Sequence, residues 1–322
     1  MRLPTLIALV AGLFLAAAPG GWSQDKDKKD DKKDVKKDEK KDEKKDEKKD
    51  IDIDKVIAEI KKLGGTIQID TKAKELPVVG VDFRKVDIND EAMEVVKLIP
   101  TIKYLDLRGT KVTDEGLKAL KGLKLLKLHL ADTKITDLGL EMIKDHTKLV
   151  ELTLGNTDIT SLGIDHLKEM KAMESLDLTN TKVGVTGIEH VAGMTKLTQL
   201  ELKGTRTNDD CMEYIKLLVR LQRLGLAESN VSDVGMDDLK FLTRLQYIDV
   251  RGNKITDKGL VSFRKLISLR EIYLNGTKVT DAGLENLKEL SNLEALYVNI
   301  SGVSEAGARR FAAAMPRCKV VR

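Results

Sequence analysis

Apolar residues recur along most of the chain in pairs separated by one position: Leu105/Leu107, Leu128/Leu130, Leu152/Leu154, Leu176/Leu178, Leu200/Leu202, Leu224/Leu226, Ile248/Val250, Ile272/Leu274 and Leu296/Val298. The pairs step by 24 residues, with a single step of 23, and Val81-Asp82-Phe83 lies one step before the first of them. A fixed period of this length marks a solenoid, in which each unit buries its apolar face against its neighbours. Alternation with period two predicts a short strand with one face buried, so ten parallel strands are expected. The second half of a unit is typified by Thr277-Lys278-Val279-Thr280-Asp281-Ala282-Gly283-Leu284. There Thr280 or Asp281 can accept hydrogen bonds from the free amides of a helix start, and Leu284 and Leu287 put one apolar stripe of a short helix against the strand layer.

Two further columns follow the same period. Thr110, Thr133, Thr157, Thr181, Thr205 and Thr277, with Ser229 and Asn253 in the same place, stand where the chain turns inside the stack. They are expected to bond the unpaired backbone groups of neighbouring turns. Gly116, Gly139, Gly163, Gly187, Gly235, Gly259 and Gly283 fall where a new helix approaches the adjacent layer, and Cys211 takes that slot in its own unit.

The resulting pattern, Leu-x-x-Leu-x-Leu-x-x-Thr-x-Ile/Val-Thr-Asp-x-Gly-Leu-x-x-Leu, resembles the leucine-rich-repeat family over roughly Val78 to Arg322. The cysteine-containing subtype is the nearest form, although Thr replaces the Cys or Asn of the turn and the units are a little short. No F-box-like helical module precedes the repeats, so a part in ubiquitin transfer does not carry over. The resemblance implies an α/β fold, a right-handed solenoid or horseshoe with parallel strands on the concave face and short helices on the convex face. It also implies a binding scaffold, and fold alone names no ligand.

The N-terminal quarter reads differently. Arg2, the apolar run Leu3 to Ala18 and the small residues after it make residues 1–23 an expected signal peptide. Cleavage fits after Ser23 or after Ala18, and the alternative is an uncleaved membrane anchor. The run of about 16 residues is short for a bilayer span, which needs about 20. Residues 24–50 form a Lys/Asp/Glu tract, with thirteen Lys against twelve acids from Asp25 to Asp50. Its four-residue repeat sets Glu39 against Glu43 and Lys40 against Lys44, so like charges align and a disordered linker is expected. Binding to a charged wall polymer is the other reading of this tract. Residues 51–77 read as an N-terminal cap, with Ile53, Val56, Ile57, Ile60 and Leu63 at helical spacing, Gly64-Gly65 as a stop and Thr66-Ile67-Gln68-Ile69 as an edge strand. At the far end Ala306 to Ala314 form a last helix and Pro316 to Val320 a closing strand. These features imply an extracytoplasmic protein, secreted, periplasmic or at the cell surface, with no membrane span once the signal is removed.

Composition narrows the chemistry. A net charge of +4 from 56 basic and 52 acidic residues gives no global field for nucleic acid or anionic lipid. Two cysteines in 322 residues exclude a disulfide scaffold, and Cys211 and Cys318 lie four turns apart, about 20 Å at the strand spacing. The four histidines, His129, His146, His166 and His190, include no pair at ligand spacing, and His129 reads as a surface residue with Thr153 beside it. No metal, cofactor or catalytic constellation is expected, and the chain does not read as an enzyme. Asp82 and Asp106 each have an arginine two residues on, Arg84 and Arg108, so mutual neutralisation is preferred to a cation site.

Function therefore falls to the residues each strand sends outward. Four of the five tyrosines (Tyr104, Tyr247, Tyr273 and Tyr297) take such positions. Tyrosine and arginine are enriched at interfaces, so Arg223, Tyr247, Arg251, Tyr273 and Tyr297, with Tyr104 and Arg108 at the other end, are the candidate partner-binding residues. A protein is the expected partner. A carbohydrate or cell-wall glycan stacked on the rings is the alternative, and a purely structural cross-strand ladder is the third reading.

Overall fold

In the computed structural model residues 51–322 are described; the expected signal peptide and linker, residues 1–23 and 24–50, lie outside them. The described residues form one sheet of twelve strands in strict chain order. The strands are β1 (Thr66–Ile69), β2 (Val78–Asp82), β3 (Tyr104–Asp106), β4 (Lys127–His129), β5 (Glu151–Thr153), β6 (Ser175–Asp177), β7 (Gln199–Glu201), β8 (Arg223–Gly225), β9 (Tyr247–Asp249), β10 (Glu271–Tyr273), β11 (Ala295–Tyr297) and β12 (Lys319–Val321). Pairing is antiparallel between β1 and β2 and parallel from β2 to β12. The parallel set thus gains β12 over the ten repeat strands.

The 24-residue step explains the register. Leu105, Leu128, Leu152, Leu176, Leu200, Leu224, Ile248, Ile272 and Leu296 are exact cross-strand partners and are buried without exception. Behind them Leu107 to Val298 fill the turn, and short helical segments such as Asp137–Ile143 and Gly259–Lys265 close the opposite side of each unit. Stacking identical layers removes every strand edge except the two outermost, which suits an apolar interior built with few aromatics. At the first end the helix Ile53–Lys62 buries Val56 and Ile60. Gly64 takes φ +89°, and the Gly65 amide reaches back to the Ile60 carbonyl, which ends the helix in a left-handed turn.

The turn hydroxyls do less than the sequence suggests. Thr110 donates to the Leu107 carbonyl at 2.7 Å, and Thr133, Thr157, Thr181, Thr205 and Thr277 repeat that bond inside their own turns. Each threonine hydroxyl is directed at the carbonyl three residues back, within its own layer. Asn253 is longer and bridges to the Leu226 carbonyl one layer back at 2.6 Å, and Ser229 reaches Leu202 at 3.4 Å.

Layer-to-layer bonding comes instead from the Asp of the Thr-Asp pair. Asp233 accepts from the Thr256 amide at 2.8 Å, the Thr256 hydroxyl at 2.6 Å and the Gly259 amide at 3.1 Å, all in the next unit. The same clasp joins Asp90 to Thr113, Asp114 to Thr136, Asp137 to Thr160, Asp209 to Ser232, Asp257 to Thr280 and Asp281 to Ser304. Helix capping falls to the threonine, whose hydroxyl accepts from the amide two residues on, as Thr136 does from Leu138. The clasp also accounts for the glycine column: a Cβ at Gly259 would come within 2.6 Å of Asp233 Oδ1.

A second column carries the chain out of each strand. Gly109, Asp132, Asn156, Asn180, Gly204, Glu228, Gly252, Gly276 and Ile300 all take left-handed backbone with φ between 53° and 69°. Glycine, asparagine and aspartate accept that region readily; Glu228 and above all the β-branched Ile300 do so at a cost.

Candidate functional site

The outward side of the sheet carries two clusters several strands apart. Parallel in-register pairing puts residues one unit apart directly beside each other at the strand spacing of about 4.8 Å, so each cluster follows from the repeat period alone.

The first cluster spans β2 to β5 and is an ionic network. Asp106 is fully buried and accepts from the Tyr104 hydroxyl at 2.8 Å, from Arg108 Nε at 3.0 Å and Nη2 at 2.6 Å, and lies 3.4 Å from His129 Nδ1. Arg84 pairs with Asp82 at 2.7 Å and stands 3.3 Å from Asp106, so each aspartate is held by arginine. His129 Nε2 meets Glu151 at 3.0 Å, and Glu151 in turn pairs with Lys127 at 2.6 Å. Burial works to raise the Asp106 carboxyl, but the bonds from His129, Arg108 and Tyr104 outweigh it and hold the group well below the usual carboxylate range. Burial and the bond to Asp106 push the Tyr104 hydroxyl up to about 12. His129 is not the surface residue expected: it is buried, packed edge-on against the Tyr104 ring at 5.3 Å, with both ring nitrogens engaged. An outward position on a strand becomes a buried one when long side chains on both flanks lean over it.

The second cluster spans β8 to β11 and gathers five of the seven candidate residues. Arg223 lies over the Tyr247 ring at 3.9 Å, Tyr247 approaches Tyr273 at 5.1 Å, and Tyr273 stacks on Tyr297 at 4.2 Å with the planes 8° apart. Arg251 stands 5.4 Å from the Tyr273 ring while its guanidinium pairs with the buried Asp249 at 2.6 Å. All three tyrosines stay partly exposed. Burial pushes the Tyr247 hydroxyl up to about 12, with help from Asp249 and Glu201, and raises Tyr273 as well. Tyr104 and Arg108 belong to the first cluster, on β3 and the turn after it, and do not join this row.

Between the clusters lies a residue that outward position alone did not single out. Glu201 leans over Gly225, where an added Cβ would collide with its carboxylate. Burial first, and then Asp177, push the Glu201 carboxyl up to about 7. The signal for it was available in the period: Glu201, Gly225 and Asp249 occupy one column, and a glycine there leaves room for the glutamate of the preceding strand.

Among the described residues no group of three or more His, Cys, Asp or Glu is placed to hold a metal ion. Cys211 and Cys318 are free and buried, and burial raises both thiols, Cys318 to about 11. No helix of the described residues is long and apolar enough to cross a membrane.

Two family models described as leucine rich repeat match the chain, one over residues 219–279 and the other over residues 99–121 and 123–144. Both descriptions name the repeat and no subtype. No curated protein matches the sequence. Among solved structures, an internalin (InlF) of Listeria monocytogenes is 18% identical, with 83% of this chain and 92% of that chain covered and a TM-score of 0.45. The Arabidopsis receptor kinase HAESA, solved in complex with the peptide hormone IDA and a co-receptor, is 15% identical over 77% of this chain and 46% of that one, with a TM-score of 0.57. The second likeness is one of fold.

Proposed function

The chain belongs to the leucine-rich-repeat family, and from that premise we propose that it is an extracytoplasmic scaffold whose concave face binds a protein partner at the β8–β11 cluster. The observation that carries this reading is the unbroken row Arg223–Tyr247–Tyr273–Tyr297, partly exposed, with Arg251 beside it. Rigid aromatics with few rotamers lose little entropy when covered, which is why such residues anchor interfaces. HAESA, of the same fold, is a peptide-hormone receptor by its description, and a protein or peptide ligand is the natural extension to this chain.

The geometry favours protein over glycan. Sugar recognition by stacking needs a free ring face, whereas here Tyr247 lies between Arg223 and Tyr273, and Tyr273 between Tyr247 and Tyr297, which leaves at most the β12 side of Tyr297. The hydroxyls and ring edges are what a partner would meet. In the same reading residues 1–23 export the chain, residues 24–50 form the spacer and residues 51–77 cap the solenoid, and no catalytic step is assigned to it. A photo-crosslinking residue at Asn299, beside Tyr297 on the concave side, tests the proposal in the native envelope. A discrete protein adduct from Asn299 and none from a convex site such as Lys258 supports it. Adducts from Lys258 alone, or specific glycan-array binding that Tyr297→Ala abolishes, would replace it.

A further inference from the structure

The side of the solenoid away from the strands carries a patch that the concave-face reading does not use. Where the convex segment turns back toward the next strand, three successive units expose Leu217 (55%), Val219 (54%), Phe241 (49%) and Ile267 (60%) to solvent. The period shows how local this is. Leu217 and Phe241 share a column that holds Gly193, Glu169 and Asp145 in the preceding units, and Val219 and Ile267 share one with Thr195, Lys171 and Thr147. In those three preceding units both positions are polar or small, so the repeat itself does not require apolar side chains there.

Cations border the patch. Arg220, Arg244 and Lys265 are exposed and form no ion pair with a described residue. Lys216 and Lys240 complete the rim, each tied to an aspartate, Asp238 at 3.2 Å and Asp237 at 2.7 Å, and the Lys240 ammonium also lies 5.4 Å from the Phe241 ring. Aliphatic and phenyl side chains about half or more in water, ringed by arginine and lysine of which Arg220, Arg244 and Lys265 form no ion pair with a described residue, match the interface of an anionic bilayer: the apolar tips enter the headgroup boundary while the cations meet lipid phosphates. The charge balance of the whole chain, near neutral, hides this local excess.

We propose that the Leu217–Ile267 turn patch docks the solenoid on an anionic membrane surface. That orientation leaves the strand face turned away from the lipid and open to a partner. An acidic protein segment would satisfy the same charges; the protruding tips, spread over three successive turns, suit a fluid surface that closes around them.

The test puts a reporter in the patch itself, so that insertion by the apolar N-terminal run is not mistaken for docking. Trp22 is the sole tryptophan, so Trp22→Phe with Phe241→Trp leaves one fluorophore at position 241 of the full chain. With vesicles containing about one-third phosphatidylglycerol, its emission shifts to the blue and is quenched by lipids brominated near the headgroup. Purely phosphatidylcholine vesicles leave it unchanged. Adding Arg220→Glu and Arg244→Glu lowers the fraction of inserted fluorophore at least about tenfold, as expected for charges acting at about 1 kcal/mol each near such a surface. Circular dichroism and melting of the four-site variant confirm that it is folded. Emission indifferent to anionic vesicles, even when the chain co-sediments with them, overturns the proposal and leaves the patch to a protein partner. So does equal quenching by both vesicle types.

Discussion

Asp106→Asn probes the ionic network at constant shape. The Asp106 carboxylate accepts from the Tyr104 hydroxyl and from the Arg108 amide, Nε and Nη2, contacts His129 Nδ1 and lies 3.3 Å from Arg84 Nε. Asparagine keeps one oxygen and turns an NH2 group toward two guanidinium groups. Breaking a buried charged pair by removing one partner costs about 3–5 kcal/mol. Arg84 and Arg108 are 53% and 35% exposed at their side chains and recover hydration, which lowers the expectation to about 2–4 kcal/mol. The loss should depend on pH. The folded carboxyl titrates below its ordinary value of 3.8, so the stabilisation is complete above that value and is lost as pH falls through it toward the folded one. Urea unfolding of both proteins at pH 7 and pH 3 measures this, and the gap between them should narrow at pH 3. A gap under about 0.5 kcal/mol at pH 7, or one that is the same at both pH values, would refute the reasoning.

Glu201→Gln should act in the opposite sense. The folded carboxyl titrates at about 7 against an ordinary 4.5, so the native state holds the extra proton and stability falls as pH rises between those values; the variant should remove that fall and be more stable at pH 8 by about 1–3 kcal/mol, read from urea titrations across pH 4–8. Asp233→Ala strips three donors of their acceptor and should cost about 1–3 kcal/mol, with amide exchange accelerated in the flanking units first. Ile300→Gly relieves a left-handed β-branched residue that is 91% exposed and buries nothing, so thermal melting should show a gain of about 1 kcal/mol; a lower melting temperature would contradict the strain argument.

The fold was largely legible because one period sets everything that burial controls. Leu105 through Leu296 announce their strands by spacing alone, since any other register would turn buried leucines to water. The Asp clasp is not legible in the sequence, although Thr-Asp recurs in plain view. Both residues are good helix caps, and only the stacking of layers shows that the threonine caps while the aspartate reaches forward. His129 and Asp106 were legible as outward residues and illegible as buried ones, because their burial depends on where Arg84, Arg108, Lys127 and Glu151 lay their long side chains. The tyrosine row is legible as a patch, since β9 to β11 are neighbours in any such stack. That Tyr273 and Tyr297 lie face to face is a matter of rotamers that spacing does not encode.

The claim that this row is the binding face is tested most directly by Tyr273→Ala, Tyr297→Ala and Leu274→Ala, assayed side by side for affinity toward the crosslinked partner and for stability. Each tyrosine variant should weaken binding by more than about 1 kcal/mol, roughly fivefold, and lose in stability only the modest energy of its aromatic contacts, one for Tyr297 and two for Tyr273. Leu274, one residue away and fully buried, should cost about 2–5 kcal/mol of stability when truncated. If both tyrosine variants instead bind as the parent does and melt several degrees lower, the row is a ladder that holds β9 to β11 together, and the partner binds elsewhere.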